Sequence, residues 1–197
     1  LMAYAAAGVS SCHEPIRADE AVERLRVGLH VMIREGSIRR DLEEISKIRH
    51  ARVDLRRLML VTDGIGPGDL AAQGYMDVLV QKAVNCGFEP AQAIRMATLN
   101  VAEYFQLDGL LGGIAPGKQA DMVLVPEPGT LRAELVVARG NIIAENGRLT
   151  IRPREHVFSE ASRNSVRLKR DLGPEELAVE APQGAREARV CVIDPVT

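Results

Sequence analysis

Cysteine is scarce in this chain. Cys12, Cys86 and Cys191 are the whole set, odd in number and widely spaced. That excludes a disulfide framework and fits a reducing compartment, the cytoplasm. Buried free thiols are the plain reading, with Cys12 set apart because it adjoins His13. Charge of one sign is also lacking: the net charge is −2, which leaves no basic footprint for nucleic acid. No apolar run approaches the roughly 20 residues a membrane-crossing helix needs. The apolar start, residues 1–9, has none of the basic residues that open a signal peptide. Neither a Gly-x-Gly-x-x-Gly fingerprint nor a Gly-x-x-x-x-Gly-Lys-Ser/Thr loop occurs, so the usual cradles for dinucleotides and nucleotide phosphates are missing. The Cys-x-x-Cys pair of cytidine-deaminase-type zinc sites is absent too. Ser10 and Ser11 lack the glycine elbow of an acyl-transfer nucleophile.

What is present is a globular composition, 46% hydrophobic over 197 residues, enough for one domain with a core or for parts of two. Short apolar runs alternate with amphipathic stretches through the first hundred residues. Strands are expected over 8–12, 30–34 and 58–62. Helices are expected from Asp19, with Ala21, Val22, Leu25 and Leu29 on one face, and from Ser37 as cap, with Ile38, Leu42, Ile45 and Ile48 recurring at helical spacing. Further helices span 75–85, stopped by Gly87, and 90–97, opened by Pro90, with another turn or two at 100–105. Such alternation means parallel strands with crossover helices. Beyond Leu107 the pattern changes. Gly112, Gly113, Pro116 and Gly117 make a turn-rich passage, strands follow over 120–125, 134–138 and 141–145, and Asn146-Gly147 is a hairpin signal. The expected division is residues 1–109 as part of an α/β barrel, 110–151 as an antiparallel β segment and 152–197 as the start of a further domain, with a strand over 189–193. A complete eight-stranded α/β barrel needs about 250 residues, so the chain is expected to be the C-terminal part of a longer protein.

The residues that bear chemistry fall at strand ends. His13, in Ser11-Cys12-His13-Glu14-Pro15, follows the first strand, where a neutral imidazole suits Zn, Mn or Fe; the alternative is a histidine that satisfies a loop hydrogen bond. Asp63 ends the strand of Val61-Thr62-Asp63-Gly64, where barrels place catalysis, and a carboxylate there can ligate a metal and exchange protons with bound water; the alternative is an aspartate that starts a glycine-rich turn. Arg34 and Glu35 stand at the end of the middle strand and read either as a pair facing a polar substrate or as a surface ion pair. Ser37 reads as a helix cap. His30, at the opposite end of its strand, reads as structural, and His50 and His156 as solvated. No second histidine lies near enough in sequence to complete a metal site.

Two stretches carry a wider resemblance: Ala97-Thr98-Leu99-Asn100-Val101-Ala102-Glu103-Tyr104-Phe105, and Gly113-Ile114-Ala115-Pro116-Gly117-Lys118-Gln119-Ala120-Asp121-Met122-Val123-Leu124. They resemble the passage that joins the last barrel helix to the flanking β-domain in the amidohydrolase superfamily. Ser11-Cys12-His13-Glu14, Val31-Met32-Ile33-Arg34-Glu35-Gly36-Ser37 and Val61-Thr62-Asp63 are similar, more narrowly, to the adenine deaminase family within it. The resemblance covers residues 1–150 well and the rest more loosely. It implies a distorted TIM-like (β/α)8 barrel, a divalent and binuclear metal centre of Mn, Fe or Zn, and hydrolysis of adenine to hypoxanthine and ammonia. The partner it implies is a purine base, with a homo-oligomer when full length and neither nucleic acid nor membrane. It makes His13 and Asp63 metal ligands, Asp63 also the proton shuttle, and Glu14, Arg34 and Glu35 rim residues toward substrate. Cys12 and Gly64-Ile65 depart from the family pattern. The first histidines of the barrel, its bridging carboxylate and the histidine of its fifth strand have no counterpart in this chain, which by itself is expected to be inactive. The alternatives are a hydantoinase- or dihydroorotase-like enzyme, sharing the roles of His13 and Asp63, and a non-catalytic scaffold of the same fold.

Overall fold

Strands and helices alternate through the first hundred residues of the computed structural model, which describes residues 1–181, 183–185, 187 and 189. Strands β1 (Ser11–Cys12), β2 (His30–Arg34) and β3 (Leu58–Val61) form a parallel sheet in the order β1-β2-β3. Cys12 pairs with Val31, Val31 with Leu58 and Arg34 with Val61. The first strand is shorter than its apolar run, because Gly8 turns at φ +91° ahead of it. Helix α1 (Met2–Ala6) precedes that turn and α2 (Ala18–Arg26) links β1 to β2. Asp19 and Glu20 in the first turn of α2, and Arg24 and Arg26 in its last, complement the helix dipole. Its buried face carries Ala21 and Leu25, at the expected spacing.

The segment after β2 departs from expectation. No helix starts at Ser37; α3 (Leu42–Ile45) begins five residues later. The intervening chain folds back on itself instead, with the Gly36 N–H donating to Arg39 O at 2.7 Å and the Asp41 N–H to Arg34 O at 3.0 Å. Ile38, which periodicity placed on the apolar face, is 62% exposed. After β3 comes a helix that the glycines had hidden, α4 (Pro67–Gln73), opened by Pro67 in its first turn. Helices α5 (Met76–Asn85), α6 (Pro90–Ala97) and α7 (Leu99–Tyr104) follow where expected.

Strand pleating sorts the sheet into two faces. Val31, Ile33, Leu58 and Leu60 pack into one cluster with Leu42, Ile45, Leu79, Ala83, Ala93 and Met96 from the helices. Burial of one such aliphatic side chain contributes about 1.5–3 kcal/mol. The other face carries Met32, Arg34, Met59 and Val61, partners in register. Helix α7 is tied to the start of β3 by Asn100, whose Nδ2 donates to Leu58 O at 2.8 Å and Leu55 O at 3.2 Å. His30 packs against Tyr104 with ring centroids 4.8 Å apart, in keeping with a structural role.

A second, antiparallel sheet follows in the order β4-β5-β6-β7: β4 (Met122–Leu124), β5 (Leu135–Ala138), β6 (Asn141–Glu145) and β7 (Arg148–Leu149). Its hairpins turn at Arg139-Gly140 and Asn146-Gly147, all four residues at positive φ, the geometry that a two-residue loop matched to strand twist requires. Gln81 of α5 joins this segment to the helical layer: its Nε2 donates to Gly129 O at 3.1 Å and its Oε1 accepts from the Leu131 N–H at 2.8 Å. Residues Leu1–Arg152 form one compact unit and the described residues from Pro153 onward form another. The second unit holds a short helix α8 (Glu160–Arg163), capped by the Ser159 hydroxyl, and a 3-10 turn at Pro174–Leu177. The strand expected over 189–193 lies outside the described residues except for Arg189, and Cys191 is outside them.

Just before β3, Asp54 caps a 3-10 turn (Leu55–Arg57), its Oδ1 accepting the Arg56 N–H at 2.9 Å and its Oδ2 the Arg56 Nε at 2.8 Å. The Arg56 side chain, and then its backbone N–H, hold the Asp54 carboxyl down to about 2. An NMR titration is expected to find the Asp54 midpoint near 2 rather than 3.8. The folded value is the lower one, so the stabilisation is complete above the unfolded value and is lost as pH falls through the folded one.

Candidate active site

The ends of the three parallel strands bring together residues that are distant in sequence. His13 follows β1 and is half exposed, with Nε2 3.1 Å from Glu14 Oε1. The other oxygen of Glu14 accepts from Arg34 Nη1 at 3.1 Å. Arg34, the last residue of β2, lies on the face away from the helices and is 3% exposed. Its Nε donates to Asp41 Oδ2 at 3.0 Å, and its Nη1 lies 3.7 Å from Asp63 Oδ2. One guanidinium therefore gathers carboxylates from three loops, and His13, Glu14, Arg34 and Asp63 form one connected chain of contacts.

Glu35 goes elsewhere. Successive strand residues point to opposite sides, so Glu35 leaves toward the helical layer. There its Oε1 accepts from Lys82 Nζ of α5 at 2.6 Å and its Oε2 from the Leu42 N–H at 3.3 Å. Arg34 and Glu35 thus stand back to back, where sequence adjacency had suggested a shared orientation. Cys12 also turns away from the network: its Sγ accepts from Arg24 Nε of α2 at 3.3 Å.

Electrostatics keep Arg34 charged. Burial pulls its guanidinium down, but the hydrogen bond and charge of Asp41, and then Glu14, more than offset that, and the net shift is upward. Nη2 of Arg34 is buried and has no hydrogen-bond partner among the described residues. An unmet donor on a buried cation is costly and rare in folded proteins.

Asp63 sits at φ +46° with Gly64 at φ +95° after it, so two successive residues occupy the left-handed region. Aspartate tolerates that region better than most side chains. The turn is held from the neighbouring loop, where the Ser37 N–H donates to Gly64 O at 3.1 Å and the Ser37 Oγ accepts from the Gly66 N–H at 2.6 Å. Ser37 therefore caps no helix; it bonds the loop after β3, which explains the late start of α3.

Two contributors are not apparent from sequence, Asp41 and the loop-bonding role of Ser37. Asp41 lies in Arg39-Arg40-Asp41-Leu42, a charged stretch that reads as a solvated helix face. Only the burial of Arg34, invisible in sequence, calls for a carboxylate there. As donors for a divalent metal, the His13 imidazole and the Asp63 carboxylate have suitable chemistry and are both substantially exposed. They are two where a tetrahedral site takes four ligands, and among the described residues no group of three or more His, Cys, Asp or Glu side chains is placed to hold a metal.

The amidohydrolase family model matches residues 17–145. Among curated proteins, the chain is 38% identical over 197 residues to an adenine deaminase of Clostridium botulinum (strain ATCC 19397 / Type A), covering 99% of this chain and 33% of that protein. It is 43% identical over 171 residues to an adenine deaminase of Cenarchaeum symbiosum (strain A), covering 86% of this chain and 28% of that protein. The chain thus spans about a third of the length of the curated relatives it matches. Among solved structures, a β-aspartyl dipeptidase of Fervidobacterium islandicum AW-1 superposes with a TM-score of 0.55 at 18% identity, over 70% of this chain and 39% of that one. That likeness is one of fold.

Replacing Asp41 with alanine leaves the buried guanidinium with fewer partners. The expected loss is about 3–5 kcal/mol, the usual cost of removing one member of a buried ion pair, read as a shifted denaturation midpoint. A loss under about 0.5 kcal/mol, as for surface positions, would show that Asp41 carries no such load.

Proposed function

We propose that this chain, which belongs to the amidohydrolase family, is a portion of an enzyme that hydrolyses adenine to hypoxanthine and ammonia. The observation that carries this reading is the identity to adenine deaminases, 38% across 197 residues in one relative and 43% across 171 in another. In this reading residues 1–109 supply the last three strands of a TIM-like barrel, residues 110–151 belong to its flanking β-domain, and residues 152–197 begin a further domain. β1, β2 and β3 are then its sixth, seventh and eighth strands.

His13 and Asp63 would hold a divalent metal, Mn, Fe or Zn, in a binuclear centre completed by donors from the rest of the longer protein. Such a metal, when bound, acts as a Lewis acid that brings the pKa of water to about 7. The remaining work falls to this chain's own side chains. Asp63 takes a proton from the water as the C6–O bond forms and then delivers it to N6 of adenine, so that the C6–N6 bond breaks and ammonia departs, leaving the oxygen on C6 of hypoxanthine. Arg34, 3.7 Å from the Asp63 carboxylate, helps to hold that carboxylate at the strand end where it would meet the water. Glu14 stands between His13 and Arg34 and orients the imidazole, as carboxylates beside metal-binding histidines do. Glu14 and Arg34 are also the rim groups assigned to the base. Glu35, engaged by Lys82 and the Leu42 N–H, is assigned the support of the rim from the helical side.

The test is ammonia release from adenine by the full-length protein that contains this chain. Turnover is expected, and Asp63→Asn is expected to lower kcat by about 10²- to 10⁴-fold, the range for loss of a proton-transfer group. A full-length protein that leaves adenine intact and opens hydantoins or dihydroorotate would replace this reading with the cyclic-amide one.

A further inference from the structure

The loops after β2 and β3 are interlocked at the backbone. The Glu35 N–H donates to Val61 O at 2.9 Å, the Ser37 N–H to Gly64 O at 3.1 Å, and the Gly66 N–H to the Ser37 hydroxyl at 2.6 Å. Gly36 lies at the closest approach. A Cβ there would fall inside the van der Waals envelope of both Thr62 O and Gly64 O, so only glycine lets the two chains meet. These contacts grip both sides of Asp63. Thr62 and Gly64, its immediate neighbours, are the residues against which Gly36 packs. The Asp63 carboxylate is otherwise approached by the guanidinium of Arg34, from the strand that leads into the same Gly36-Ser37 turn. A left-handed aspartate followed by a left-handed glycine needs outside restraint to stay in one geometry. Across these two loops, Ser37 is the side chain that supplies a hydrogen bond to the turn.

We propose that Ser37 is a positioning residue: with Gly36 it clamps the turn 62–66 and so sets the direction of the Asp63 carboxylate. The inference rests on the proposed role of Asp63 in proton transfer. Ser37 is assigned no contact with substrate or metal and acts through the backbone of the Asp63 turn.

The test uses the full-length protein with Ser37→Ala and Ser37→Thr. Threonine keeps the hydroxyl that accepts from Gly66, and alanine removes it. Two readouts are needed. The first is backbone amide exchange in the peptide spanning residues 62–68, followed by mass spectrometry. It is expected to quicken about 10-fold in Ser37→Ala, as for a lost local restraint, and to stay near wild type in Ser37→Thr. The second is adenine deamination. In Ser37→Ala, kcat is expected to fall about 10- to 100-fold with KM nearly unchanged, the signature of a misplaced reacting group, and Ser37→Thr is expected to recover most of it. Unchanged exchange in Ser37→Ala would overturn the clamp. So would quickened exchange with kcat intact, or a threonine variant as impaired as alanine. If the wild-type full-length protein does not act on adenine, the functional reading fails separately, and amide exchange alone decides whether Ser37 restrains the Asp63 turn.

Discussion

The strand ends of this chain depend on one buried cation. Arg34 contributes a guanidinium that is almost wholly removed from water, a burial that would be untenable without compensating negative charge. The compensation comes from three places in the sequence: Glu14 after β1, Asp41 ahead of α3 and Asp63 after β3. Meeting the electrostatic demand of one side chain therefore fixes three loops. The same contacts bring His13 into the group through Glu14. The arginine is the post around which these strand ends are assembled.

Strand geometry decides which residues join that assembly. The pleat that sends Val31 and Ile33 into the helical core sends Met32 and Arg34 to the opposite face. One residue further, Glu35 returns to the helical side and pairs with Lys82. Arg34 and Glu35 are neighbours in sequence with different surroundings, and their duties differ accordingly. Beyond the strand the chain needs a sharp reversal and a close backbone approach, which Gly36 permits and Ser37 secures. The Asp63 turn is shaped as much by this neighbouring loop as by its own glycines.

Much of this architecture is legible in the amino-acid sequence. The three parallel strands, the helices at 76–85 and 90–97, and the Asn146-Gly147 hairpin follow from apolar period, proline and glycine placement, and turn chemistry. His13, Arg34 and Asp63 stand out because polar residues at the ends of apolar strands have few structural reasons to be there. What stays hidden depends on partners far away in sequence. Asp41 looks solvated because its role is dictated by Arg34 seven residues earlier. Ser37 looks like a helix cap because serine before an apolar periodic run usually is one, and the competing bond to Gly66 lies 29 residues on. The helix at 67–73 is masked by Gly64, Gly66 and Gly68, which read as a turn until Pro67 is recognised as a first-turn residue.

If Arg34 holds the rim together, Arg34 and Asp63 work as a unit. A double-mutant cycle on adenine deamination by the full-length protein, with Arg34→Met and Asp63→Asn singly and together, tests that most directly. Strong non-additivity is expected, with the double variant scarcely worse than Asp63→Asn and a coupling of about 0.5–3 kcal/mol, as found for groups in one network. Losses that simply add would contradict it and leave the two residues as independent neighbours.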